Sequence, residues 1–225
     1  MTAVLPLLVF DLDGTLVDSS ADLANAMNAA LRRVDPRAPA LPVDLVRTFI
    51  GSGARNLVAR SLAHVAAAAT PEAALPVFLE EYAARLTEHT RFYPGDEATL
   101  DRLAAHPMAV LTNKPGDMSR RILDALGAGS RFFRVYGGGD LPSRKPDPEG
   151  LVRLMAEAGA EPATTMMIGD SSIDVLTGRG AAAVTIGVTY GFDPQSLTAE
   201  PPDALLHAFA DLPDFVERLR ATVLG

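Results

Sequence analysis

Five short runs, at 7–10, 108–111, 134–136, 166–168 and 184–188, constrain the fold of this chain more than any other feature. Each is rich in apolar and β-branched residues and is followed by Gly, Asp, Asn or Thr. A strand with one wet face alternates in polarity, whereas a nearly continuous apolar run fits a strand covered on both faces. Helical periodicities separate the later runs, at 118–126, 149–158 and 173–180, the last with Ser171 or Ser172 as its cap. Strand–helix–strand alternation requires right-handed crossovers, so the expected fold is α/β: a doubly wound parallel sheet with a Rossmann-like core. Such sheets receive their ligands outside the carboxyl ends of the strands.

One segment breaks the alternation. From 17 to 91 there is no convincing strand, only helical patterns such as 21–34, 55–67 and 76–88. We expect an inserted α-helical domain over 17–91, of about 75 residues, between core segments 1–16 and 92–225. The sheet resumes after the turn at Pro94-Gly95. With 48% hydrophobic and 21% charged residues the chain has enough apolar material for a real core. No apolar run reaches the roughly 18–20 residues of a membrane span, and the opening residues lack the basic stretch and cleavage site of a signal peptide. Cysteine is absent, which excludes disulfides and thiolate chemistry. The net charge of −8 argues against nucleic-acid or membrane partners. A cytoplasmic location is expected, as monomer or homodimer.

The strand ends carry the chemistry. After the first run come Asp11, Asp13, Gly14 and Thr15; after the second, Thr112 and Asn113; before the fourth, Lys145 in "SRKPDP"; after the fourth, Asp170 and Asp174 in "GDSSID". Each has an ordinary explanation taken alone: a hairpin turn at Asp13-Gly14, a helix cap, a solvated lysine, acids complementing a helix dipole. Together they place four carboxylates on one sheet edge, where like charges require a cation, and hard oxygen ligands suit Mg²⁺. Lys145 adds a second positive charge, and Thr112, Asn113 and backbone amides add anion-binding donors. This is the chemistry of a phosphate held against a metal, with one of the paired acids attacking phosphorus and the other handling the proton. Only two of the 20 basic residues are lysine, Lys114 and Lys145, and both precede proline. The role of Lys114 stays open between the site and solvent. His64, His89, His106 and His207 lie outside these groups and show no ligand spacing.

The stretches "DLDGTLVDS", "TNK", "KPDP" and "GDSSID", in that order, resemble the four signature motifs of the haloacid dehalogenase superfamily, and the helical insertion resembles its cap. Within the superfamily the chain looks like the phosphoglycolate phosphatases, on "DLANAMNAAL", "FIGSGARNLVARSL", "VYGGGDLPSRKPDPEGL" and "TIGVTYGF". The resemblance implies a Mg²⁺-dependent phosphomonoester hydrolase acting on a small phosphorylated metabolite, 2-phosphoglycolate, through an aspartyl-phosphate. It implies Asp11 as nucleophile and Asp13 as general acid and base. It further implies a metal held by Asp11, the Asp13 carbonyl and Asp170, with Asp174 orienting water or Lys145. Thr112, the Asn113 amide and Lys145 would hold the phosphoryl oxygens. In "GSGARNL" the glycines open a helix, and either Arg55 with that helix N-terminus receives a substrate carboxylate or the stretch is a turn followed by a surface arginine.

Other chemistries are ranked by residue. A dehalogenase needs no acid for its halide, yet Asp13 supplies one. A phosphonate-cleaving relative needs a lysine in the insertion, and 17–91 has none. Sugar phosphomutases resemble this core but carry a histidine where this chain has Leu23, so mutase activity ranks below hydrolysis of a small phosphoester or pyrophosphate. A phosphoacceptor signalling domain shares the sheet, the acids, a Thr and a Lys, but it lacks the insertion.

Overall fold

The first apolar run forms the centre of the molecule. In the computed structural model, which describes residues 5–224, eight strands run in chain order. They are β1 (Leu7–Phe10), β2 (Val17–Asp18), β3 (Arg91–Phe92), β4 (Met108–Pro115), β5 (Arg134–Gly138), β6 (Thr165–Gly169), β7 (Val184–Val188) and β8 (Ala204–Leu206). Residues 1–4 of the expected core segment, and Gly225, lie outside the described residues. Six strands make one sheet in the order β5-β4-β1-β6-β7-β8, and every pairing in it is parallel. The doubly wound sheet expected from the apolar runs is therefore present, extended by β8, whose three residues are too few to show a period.

All four residues of β1 are buried, and their side chains divide between two apolar layers. Leu8 and Phe10 join one cluster with Val110, Ile168 and Leu212, while Leu7 and Val9 join another with Leu111, Leu151 and Met167. This two-sided covering is what removes the alternation from the sequence. From β1 the chain builds β4 and β5 to one side and β6, β7 and β8 to the other, so the crevice of the fold lies at the carboxyl end of β1.

Four helices fill the gap between β2 and β3: α1 (Ser20–Val34), α2 (Val43–Arg47), α3 (Ala54–His64) and α4 (Pro71–Ala83). They enclose their own apolar cluster, including Met27, Leu31, Val58, Phe78 and Tyr82. The pattern at 76–88 misplaces α4, which begins five residues earlier. Thr70 caps it by accepting a hydrogen bond from Ala73 N at 3.3 Å, and Pro71, not Pro76, occupies the first turn. The chain enters and leaves this helical segment through β2 and β3, which pair antiparallel, Val17 opposite Phe92 and Asp18 opposite Arg91.

The remaining helices are α5 (Asp96–Arg102), α6 (Gly116–Ala125), α7 (Glu149–Ala158), α8 (Ser172–Gly180), α9 (Ser196–Ala199) and α10 (Leu212–Leu224). Ser171 is the N-cap of α8, and a capping box with Asp174 closes it. No described helix is long and apolar enough to cross a membrane.

Candidate active site

The carboxyl ends of β1, β4 and β6 and the loop after β5 meet at one place. Asp11 follows β1 directly, its amide donating to Ile168 O at 2.9 Å, so the sheet itself fixes its position beside β6. Asp11, Asp13, Thr112, Asn113, Lys145, Asp170 and Asp174 are all buried. Gly14 permits the crowding: with φ of 86° it takes a conformation L side chains avoid, and a Cβ there would stand 2.2 Å from Asp170 Oδ2.

Lys145 lies between two acids, its Nζ 2.8 Å from Asp11 Oδ1 and 2.6 Å from Asp174 Oδ1. Asp174 Oδ2 is occupied by Ser171, from Oγ at 2.8 Å and N at 3.2 Å. Asp170 Oδ2 accepts from the backbone N–H groups of Phe192 and Asp193, at 2.5 and 3.3 Å. Burial pushes the Asp11 carboxyl up to about 6 against the pull of Lys145. Burial, reinforced by Asp174 and Asp11, pushes Asp170 well above the carboxylate range. The same acids outweigh burial at Lys145 and hold its ammonium above the ordinary lysine value.

The donor set fits a divalent cation. Asp11, Asp170 and Asp174 each offer an oxygen within 4.8 Å of the others, in a buried setting. Asp11 Oδ1 meets the Lys145 ammonium but accepts no hydrogen bond. Carboxylates this close, with burial raising two of them, are stabilised as anions only by further positive charge, and oxygen-only ligands suit Mg²⁺.

Lys114 resolves the question left by the sequence: it is buried, with Nζ 3.0 and 3.1 Å from the two oxygens of Asp13. The same ammonium donates to the Tyr82 hydroxyl of α4, whose ring covers it, centroid 4.5 Å away. Burial lowers Lys114, but Asp13 and Tyr82 together outweigh it and the net shift is upward. Ser19, also buried, donates to Asp13 Oδ1 at 2.5 Å. Sequence reasoning assigned no role to Ser19 or Tyr82. The signals for Lys114 were the scarcity of lysine, the proline after it and its place in "TNK".

Two predicted residues stand differently from expectation. The Asn113 side-chain amide donates to Gly51 O at 3.1 Å and Lys145 O at 3.0 Å, which uses both its hydrogens and ties the helical segment to the lysine loop. A contact from Asn113 to an anion therefore falls to its backbone. Arg55 is not brought to the cluster: its side chain is 60% exposed and its guanidinium pairs with Glu72 of α4. Of "GSGAR", Gly51, Gly53 and Ala54 line the cavity beside Asp11 and Asp13, while Arg55 does not. Its partner is an exposed carboxylate that α4 supplies.

β4 curves as it reaches the site. Its register against β5 shifts between Leu111 and Pro115, where Thr112 and Lys114 sit. The glycines of "YGGG" serve this irregularity, since a Cβ on Gly137 would stand 2.6 Å from Lys114 O. Thr112 Oγ1 accepts from Lys114 N at 3.3 Å and lines the same cavity as Asp11 and Asp13.

The family described as "Haloacid dehalogenase-like hydrolase" matches residues 8–188. A protein of Psychrobacter arcticus named "Phosphoglycolate phosphatase" is 36% identical over 220 residues, covering 93% of this chain and 95% of that one. "Phosphoglycolate phosphatase 1" of Pseudomonas aeruginosa is 39% identical over 216 residues, covering 92% and 78%. Among solved structures, that of a "predicted phosphoglycolate phosphatase" from Haemophilus somnus superposes with a TM-score of 0.88 at 33% identity, over 94% of this chain and 97% of that one.

Proposed function

We propose, from the premise that the chain belongs to the haloacid dehalogenase-like hydrolase family and is a phosphatase, that it hydrolyses 2-phosphoglycolate to glycolate and phosphate. The observation that carries this reading is the pair Asp11 and Asp13 on the wall of one small cavity, with Lys145 2.8 Å from Asp11. The relatives named above support the substrate.

In this reading Asp11 attacks phosphorus and forms an aspartyl-phosphate. Asp13 gives a proton to the departing alkoxide oxygen, then takes one from the water that attacks the intermediate. Lys145 keeps Asp11 anionic and, with the Thr112 hydroxyl and the Asn113 backbone amide, receives the phosphoryl oxygens as charge spreads over them. Asp174 holds Lys145 in place, and Phe192 and Asp193 hold Asp170. Asp11, Asp170 and the Asp13 carbonyl would hold Mg²⁺, which supplies charge neutralisation at the phosphoryl group. Segment 17–91 acts as the cap, and 1–16 with 92–225 as the catalytic core.

Leu23, on the cavity wall, offers no group for proton transfer, which favours hydrolysis over phosphomutase chemistry. The test is a panel of small phosphoesters, a hexose phosphate and pyrophosphate, ranked by kcat/KM with Mg²⁺ present. 2-Phosphoglycolate is expected to lead. A lead by pyrophosphate or the hexose phosphate overturns the substrate, and a single phosphoryl transfer without turnover overturns the hydrolase.

A further inference from the structure

The cavity that opens from Asp11 and Asp13 into the helical segment measures about 30 Å³, room for two or three water-sized groups. Its far wall is apolar, with Ile50, Leu57, Phe78 and Leu79. Among the described residues lining it, Lys114 is the one cation. Lys145 faces Asp11 and Asp174, and Arg55 lies outside, paired with Glu72. An anionic leaving group entering this space has to leave water, and a carboxylate loses more on desolvation than an apolar wall returns unless a partner charge is fixed there.

We infer that Lys114, held by Tyr82, is the residue that recognises a carboxylate on the leaving group, and that it selects phosphoesters whose carboxylate sits on the carbon next to the ester oxygen. The inference rests on the phosphoglycolate reading and deepens it. Its basis is distance. The group that protonates the ester oxygen must come within hydrogen-bond reach of it, and Asp13 lies 3.0 Å from Lys114 Nζ. A carboxylate one carbon beyond that oxygen therefore falls within reach of the ammonium, while one several carbons farther meets the apolar wall. The ammonium has three donors. Both oxygens of Asp13 and the Tyr82 hydroxyl accept from it and the Tyr82 ring shields one flank, so a substrate carboxylate binds by taking over one of the two contacts that Asp13 holds. Lys114 is thus a specificity-determining residue from the sheet, and Tyr82 a positioning residue from the helical segment.

The experiment compares kcat/KM for 2-phosphoglycolate and for ethyl phosphate, which puts a methyl group where the carboxylate stands, in the unaltered enzyme, Lys114→Met and Tyr82→Phe. The unaltered enzyme is expected to prefer 2-phosphoglycolate strongly. Lys114→Met should lower that preference by at least thirtyfold, mostly through KM for 2-phosphoglycolate. Tyr82→Phe, which keeps the charge, should lower it three- to tenfold. Parallel losses on both substrates in the folded variants would make Lys114 a structural partner of Asp13 and overturn the inference while leaving the phosphoglycolate reading standing. If the unaltered enzyme shows no preference, the phosphoglycolate reading fails and the subsite with it. If Lys114→Met does not fold, Tyr82→Phe decides alone: an unchanged preference overturns the inference.

Discussion

Asp22, fully buried in α1, accepts hydrogen bonds from both Thr90 N, at 2.8 Å, and Thr90 Oγ1, at 2.7 Å, across the base of the helical segment. His89 N adds two contacts to the same carboxylate at 3.0 Å. Asp22 therefore clasps the strand that leaves the segment to the helix that begins it. Burial raises its pKa, but the donors of Thr90 and His89 outweigh that and lower it below the usual value.

Removing that clasp should be costly. Asp22→Ala leaves the two buried donors of Thr90 unpaired and should destabilise the protein by about 2–4 kcal/mol in urea unfolding. The native pKa lies below the unfolded one, so the stabilisation is complete above about pH 4 and fades as pH falls through the native value. The deficit of the variant should accordingly shrink in acid.

The nucleophile is tested by Asp11→Asn. It keeps the shape of the side chain and removes the charge, so kcat should fall by roughly 10³-fold or more with an unchanged circular dichroism spectrum. Retained turnover would take Asp11 out of that role.

Metal affinity should follow pH. Burial raises the Asp11 carboxyl to about 6 and lifts Asp170 well above the ordinary carboxylate value, so part of the ligand set is protonated in mildly acidic solution. Mg²⁺ binding at pH 6 should release protons, and affinity should fall by about tenfold or more from pH 7 to pH 5. Calorimetry in two buffers of different ionisation enthalpy reads both effects. Mg²⁺ should also raise Tm, since it binds the folded chain.

Asp96 is a stability defect away from these acids. It is fully buried at the start of α5, neither oxygen has a hydrogen-bond partner, and burial pushes its carboxyl up to about 8. Its native pKa exceeds the unfolded value, so stability falls as pH rises from about 4 to about 8. Asp96→Val should stabilise the protein by about 1–3 kcal/mol, with a larger gain in unfolding experiments at pH 8 than at pH 5.

Arg55→Ala should change kcat/KM by less than about twofold on either 2-phosphoglycolate or ethyl phosphate, because an exposed ion pair such as Arg55–Glu72 contributes little. A selective loss on 2-phosphoglycolate would return Arg55 to the site.

The acids and Thr112 were legible because each stands in or within a few positions of a buried strand, and a parallel sheet gathers its carboxyl ends. Asp11, Asp13, Thr112, Asp170 and Asp174 needed only that rule, whereas Lys145, seven residues beyond β5, drew attention as one of two lysines, each before a proline. Lys114 and Tyr82 did not follow from it. The burial of Lys114 depends on α4 lying over β4, and in sequence Tyr82 is one more apolar position of a helix. The position of Arg55 was hidden for the same reason in reverse: its partner is Glu72, seventeen residues away. β2 and β3 have two residues each, too few for any periodicity, and their pairing arises from the closure of the insertion.

That closure has a consequence for how such a chain can change. Because Val17 stands directly opposite Phe92, the central sheet meets the 75-residue excursion as it would a tight hairpin. Lengthening a loop whose ends are already joined adds only a slowly growing entropic cost. The register of the six-stranded floor is in this way independent of how long the excursion runs, and what the excursion contributes below it comes through single contacts, Tyr82 on Lys114 and Gly51 on Asn113.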